Sequence, residues 1–253
     1  MCCSYFLENS TKLAGIAHAA SKHRIKGRML EKLGQPLITE GEVLPGRIAP
    51  VIAPDRRGES RVFPMVWGFT GKASLVTCAK IEAIEKSNLF SEAFMRHRCI
   101  VPASWYFERE HLMPVICSEL AENQTTDNRK VKAAPSTTES SCVSLGDMYL
   151  LQAKGSAVTF LAGMYRIEEA DGMKIPHFLL LTKEAPEDIH FIHSRMPLVL
   201  DINDSNMING WINPGSGPWI LERIIRNTVT DMVFEKRNVG LEYDFASLNE
   251  VNL

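Results

Sequence analysis

The sequence predicts an α+β fold in which helices flank a barrel-like β-core. Three observations lead there: short apolar runs cut by Pro and Gly between Val43 and Met65, a strand, helix, strand pattern across residues 61–109, and three β-rich runs after residue 147. A chain of 253 residues that is 45% apolar and 23% charged has the length and balance to bury a full core. One domain covering residues 1–253 is expected.

Residues 10–33 place Leu13, Ile16, Ala17 and Ala20, then Ile25, Met29 and Leu33, at spacings close to helical. With Ser10 as N-cap this is a surface helix or a helix pair. Its polar side collects Lys22, His23, Arg24, Lys26, Arg28 and Lys32, which form either a solvated face or one that meets phosphates. From Val43 to Met65, Pro45, Gly46, Pro50, Pro54 and Gly58 mark tight turns between strands, and RVFPMVWGF continues them. Residues 82–96, EAIEKSNLFSEAFMR, alternate apolar and charged positions as a helix does, and RCIVPASWYFER reads as a strand, a turn and a second strand. Residues 118–146 are rich in Ser, Thr, Asn and Glu and poor in large apolar residues, so a mobile surface insertion is expected there. The runs MYLLQAK, AVTFLAGMYRI and HFLLLTKEA are strands; a compact segment, PEDIHFIHSRMPLVL, and an amphipathic C-terminal third follow.

A net charge of -2 and a pI near 6.4 give no global pull toward nucleic acid or anionic membrane, so any such binding has to come from a local basic patch. Six cysteines without a CxxC pair, and no secretory signal, point to a reducing cytoplasm. No apolar run approaches the roughly 18 residues that span a bilayer, so no membrane segment is expected.

The opening MCCSY puts a cysteine directly behind the initiator methionine. Removal of Met1 would leave Cys2 with an α-amine, ordinary pKa about 7.7–8.0, and a thiol, about 8.5, on adjacent carbons. An uncharged amine forms a Schiff base with an aldehyde, and the neighbouring thiol can then close a five-membered thiazolidine. The alternative is that Cys2 is incidental at the start of a strand. Glu108 follows Trp105, Tyr106 and Phe107 in PASWYFER. Beside apolar walls its pKa would rise and suit general acid–base work; otherwise it is a rim carboxylate paired with Arg109 or a lysine. His190 and His193 stand three apart with no third ligand nearby, so no metal is expected. His193, just before a Pro-bounded apolar strand, is a proton shuttle if it faces a pocket and structural if it does not. Trp67 and Trp105 are either core or platforms for stacked bases.

Five places, taken in order, resemble the SOS-response-associated peptidase, or abasic-site processing, family: MC at the start, Ala49–Pro50 before a β-run, WGF at Trp67–Phe69, PASWYFE ending in Glu108, and IHSRMPLVL containing His193. Thr182 in FLLLTKEA matches a further family position. The resemblance spans most of the chain. It implies a twisted, mainly antiparallel β-core surrounded by helices, with the amino-terminal cysteine at the floor of a positively lined groove. It also implies that the protein removes Met1 itself with Glu108 assisting, and that Cys2 then captures an abasic site in single-stranded DNA as a thiazolidine. Glu108 would relay protons, His193 would open the sugar ring and reverse the link, and strand cleavage by β-elimination would be a side activity. DNA contacts would fall to Arg47, Trp67, Cys78, Lys80, Trp105, Thr182 and Arg195. No cofactor is implied, and a monomer is the default.

The chain departs from the family pattern at positions that bear on the chemistry. Cys3 and Ser4 stand where the family has Gly-Arg, and Cys78, Ala79 and Lys80 where it has Asn-Ala-Arg. A hydrogen-bonding amide is thereby replaced by a thiol, a much weaker donor, and a bidentate guanidinium by a point-charge ammonium. Arg47 replaces an Asn ahead of Ala49–Pro50. These changes predict a slower enzyme; a catalytically silent single-strand binding module on the same scaffold is the second reading, and a cysteine hydrolase using Cys2, His193 and Glu108 the third.

Overall fold

The structure, a computed structural model, describes residues 4–84, 87, 90–110 and 146–237. Cys2 and all but the last residue of the expected insertion at 118–146 lie outside the described residues.

Five strands close a barrel: β3 (Ile48–Pro54) pairs with β4 (Ser60–Trp67) and β8 (Arg98–Ala103), β8 with β11 (Thr159–Ala170), β11 with β12 (Met173–Glu184), and β12 with β4. Only the β12–β4 closure is parallel; the other four pairings are antiparallel. The alternation of each strand supplies the filling, with Val51, Trp67, Cys99, Val101, Leu161 and Phe178 among the buried residues of one cluster. Gly163 is required by the tightness of that interior, because a Cβ there would meet the Leu179 carbonyl oxygen at 2.7 Å. Smaller strands extend the structure: β5 (Phe69–Thr70) with β6 (Leu75–Val76), β7 (Cys78–Lys80) beside β12, β13 (Arg195–Pro197) on the far edge of β12, and β14 (Val199–Leu200) beside β11.

A second, fully antiparallel sheet is laid against the barrel in the order β15 (Met232–Arg237), β10 (Met148–Ala153), β9 (Trp105–Arg109), β1 (Ser4–Leu7), β2 (Gly41–Val43). Its inner face carries Tyr5, Leu7, Val43, Tyr106, Tyr149 and Leu151, which join the barrel cluster. Its outer face carries Phe6, Phe107 and Met148, with Trp105 and Leu150 packed against them. The period-two alternation of PASWYFER therefore sends Tyr106 and Glu108 inward, and Trp105 and Phe107 outward.

Helices cover what the sheets leave open. The expected pair near the N-terminus is α1 (Thr11–Ser21) and α2 (Ile25–Leu33), and the Ser10 hydroxyl accepts the Leu13 N–H as its cap. The helix expected over 82–96 is shorter: a 3₁₀ turn at Ile81–Ala83 continues directly from β7, and α3 occupies Ser91–Arg96. Two C-terminal helices, α5 (Ser205–Ile212) and α6 (Pro218–Arg226), pack on the barrel exterior through Trp211, Leu221 and Ile224, while α4 (Glu187–His190) is a single turn after β12. Arg98 is 1% exposed and caps two of these helices, donating to the carbonyls of Phe94 and Met95 at the end of α3 and of Trp211 and Asn213 at the end of α5. Burial lowers its pKa to about 10, so the guanidinium stays charged at neutral pH. No helix among the described residues is long and apolar enough to cross a membrane.

Candidate functional site

Glu108 owes its environment to strand parity. On the inner face of β9, opposite Tyr149 of β10, it is 3% exposed, and burial pushes its carboxyl pKa from the usual 4.5 up to about 7. A carboxyl poised there both gives and takes protons at neutral pH. The neighbouring strand β1 runs antiparallel to β9 with Ser4 opposite Phe107 and Tyr5 opposite Tyr106. The end of β1 that leads back to Cys2 is therefore the end of β9 that carries Glu108.

Trp67 holds these strands against the barrel. It is 0% exposed, its indole N–H donates to the Thr77 carbonyl at 3.0 Å, and the Tyr5 ring lies 5.2 Å away between centroids. Thr77 leads into β7, so one side chain links the start of β1 to the strand carrying Cys78. Of the two readings the sequence left open for Trp67, core or platform, its burial is that of a core residue, with no exposed ring face. Trp105 is half-buried on the outer face of its sheet, stacked on Phe6 at 4.8 Å and 4°, on the side opposite Glu108.

The other expected contacts gather around β12. Cys78 lies beside Leu180 and Lys80 beside Thr182, with Cys78 and Thr182 buried and Lys80 exposed. From the other edge Arg195 reaches Thr182, donating to its carbonyl at 2.6 Å. The same guanidinium makes a two-pronged pair with Glu82 at 2.9 and 2.8 Å, which holds the Glu82 carboxyl below its usual range. Arg195 is thus occupied rather than presented to solvent. Arg47 is half-buried at the start of β3, where its carbonyl accepts the Trp67 N–H at 2.9 Å.

His193 sits in the turn between α4 and β13 and is half-buried. Its Nδ1 accepts the Arg195 backbone N–H at 2.9 Å, so in the neutral ring the proton is assigned to Nε2. Two residues earlier, Phe191 packs edge-on against Tyr149, centroids 5.7 Å apart. Tyr149 therefore links the two candidate acid–base groups, directly across the ladder from Glu108 and in contact with the turn that carries His193. Nothing in the sequence singled Tyr149 out; its register opposite Glu108 is visible only once β9 and β10 are paired. A cavity of about 840 Å³ lined in part by Asp55, Arg96, His97 and Tyr165 opens elsewhere, at the Pro54 end of β3.

A family model described as SOS response associated peptidase (SRAP) matches residues 1–239. An abasic site processing protein of Saccharomyces cerevisiae is 22% identical over 148 residues, 58% of this chain but 31% of the yeast protein. The matched stretch thus spans about a third of that relative. Among solved structures, a protein of Bacteroides thetaiotaomicron superposes with a TM-score of 0.61 at 17% identity, covering 96% of this chain and 94% of that one. A phage-related protein of Bordetella bronchiseptica gives 0.59 at 15%, with 94% of each chain covered. At these identities the structures establish a shared fold.

Proposed function

Because the chain belongs to the SOS response associated peptidase family, we propose that it acts in the DNA-damage response by capturing abasic sites in single-stranded DNA through Cys2. The observation that carries this reading is Glu108, a carboxyl buried beside the start of β1 with its pKa near 7. The name of the yeast relative supports the choice of substrate.

The chemistry follows from the groups available. Hydrolysis of the Met1–Cys2 bond frees the Cys2 α-amine, with Glu108 taking a proton from the attacking nucleophile and passing one to the leaving amine. His193, with its proton on Nε2, serves the sugar: donating to the ring oxygen helps open the abasic deoxyribose to its aldehyde. The amine adds to the aldehyde carbon, protonated Glu108 supplies the proton that lets the hydroxyl leave as water, and an imine results. The Cys2 thiol then adds to the imine carbon as its proton passes to nitrogen, and the thiazolidine closes. The reverse sequence releases the DNA, and loss of a proton from the carbon beside the imine opens the route to β-elimination.

The test is capture of a fluorescent single-stranded oligonucleotide bearing one abasic site, read by denaturing electrophoresis. A denaturation-stable shift that disappears in Cys2→Ala is the expected result. A strictly reversible, salt-sensitive complex with no stable shift would instead favour a non-enzymatic single-strand binding module, the reading that Cys78 and Lys80 motivate.

A further inference from the structure

An abasic nucleotide has no base to be read, so a protein that holds one in single-stranded DNA must draw affinity from the backbone and the neighbouring bases. The two tryptophans that the sequence offered for this are a core residue and a residue on the wrong face. A different set of rings stands beside the site. Tyr149, Phe191 and Phe234 contact one another edge to face, with centroids 5.7 Å apart for Tyr149 and Phe191, 6.2 Å for Tyr149 and Phe234, and 5.5 Å for Phe191 and Phe234. Tyr149 is buried, whereas Phe191 and Phe234 leave 50% and 43% of their surface in water. Each of these contacts sets one ring's edge on another's face, and what Phe191 and Phe234 keep open is the part of each side chain that remains in water.

Their position ties them to the chemistry. On the inner face of the sheet, Lys236 of β15, Tyr149 of β10 and Glu108 of β9 form one cross-strand row, and Phe234 and Leu151 form part of the next. Phe191 overlies this corner from the turn that also carries His193. The Lys236 ammonium pairs with Asp147 while about half exposed, an arrangement weak enough to exchange for a phosphate oxygen.

We propose that Phe191, with Phe234 set edge to face beside it at 68°, provides the ring on which one unpaired base flanking the abasic nucleotide stacks, with Lys236 meeting the adjoining phosphate. The proposal rests on the single-stranded DNA reading given above. Every base presents a flat π-face, so stacking on a single ring tolerates any sequence. A base-paired duplex has no such face to offer, so the platform also selects for single strands.

The experiment is fluorescence anisotropy of the full chain with an undamaged single-stranded oligonucleotide, which isolates binding from covalent capture. Wild type is compared with Phe191→Ala, Phe234→Ala, Phe191→Leu and Phe191→Trp across a salt series. The Ala variants, and Phe191→Leu, which keeps apolar bulk without a π-face, are expected to bind about tenfold to a hundredfold more weakly with an unchanged salt slope. Phe191→Trp is expected to bind at least as well as wild type, with its indole emission quenched on adding DNA. Wild-type affinity in Phe191→Leu and Phe234→Ala would overturn the platform while leaving the DNA reading intact. Failure of wild type itself to bind single strands would overturn both. Concentration-dependent self-association that Phe191→Ala abolishes would overturn the platform by assigning the patch to a second copy of the chain.

Discussion

Replacing Glu108 by Gln tests the acid–base assignment through stability as well as through rate. In the folded protein the Glu108 carboxyl holds its proton to about pH 7, whereas in the unfolded chain it releases it near 4.5. Between those values the folded state binds the extra proton, so this group's contribution to stability is fully present below about pH 4.5, falls as pH rises, and is lost above about pH 7. At about 1.4 kcal/mol for each tenfold change in proton affinity, the loss comes to about 3 kcal/mol. Gln cannot titrate, so Glu108→Gln escapes the decline. Denaturant unfolding of both proteins at pH 5, 6, 7 and 8 checks this, because subtracting one profile from the other cancels every group they share. Wild type is expected to lose about 2.5 kcal/mol relative to the variant over that range, since part of the decline already lies below pH 5. A difference profile that is flat, or that rises in favour of wild type, would refute the claim that burial governs this carboxyl.

Other outcomes follow from the same geometry. Glu82→Gln removes the charged partner of Arg195, so single-strand affinity should rise and the slope of log K against log salt should steepen by up to about 0.7, as one more cation becomes available to phosphate; salt-series anisotropy reads both. Cys78→Asn restores a strong hydrogen-bond donor beside Thr77 and Trp67 and should speed capture about tenfold or more, measured as single-turnover adduct formation. Arg98→Met leaves four carbonyls at the ends of α3 and α5 without their donor, and should destabilise the fold by about 3–5 kcal/mol in thermal or chemical unfolding.

The features legible in the sequence are those that local chemistry fixes. Ser10 stands before a helical apolar spacing and does cap α1; of the turn residues expected between Val43 and Met65, Pro45, Gly46 and Gly58 fall between strands, whereas Pro50 lies inside β3 and Pro54 ends it. RCIVPASWYFER divides at Ser104 into β8 and β9, and the two belong to different sheets. Closure of the barrel through the parallel β12–β4 pairing was not legible, because it joins residues more than a hundred positions apart that carry no mutual signal. The same limit governed the site. Strand alternation alone puts Trp105 on the face opposite Glu108, but which face is inner depends on the packing of the whole sheet against Trp67. Arg195 reads as a free cation in the sequence; its two-pronged pairing with Glu82 requires β13 to be folded along β12 first. Phe191 and Phe234 carry no sequence signal that relates them, and only their shared contact with Tyr149 brings them together.

Covalent capture by the amino-terminal cysteine can be read by intact-mass spectrometry of the purified protein before and after incubation with a single-stranded oligonucleotide bearing one abasic site, with Cys2→Ala beside it. A chain lacking Met1 that gains the oligonucleotide's mass less one water, with no gain in Cys2→Ala, is the expected result. A chain that has lost Met1 yet gains no such mass would contradict it and leave the scaffold as a single-strand binder.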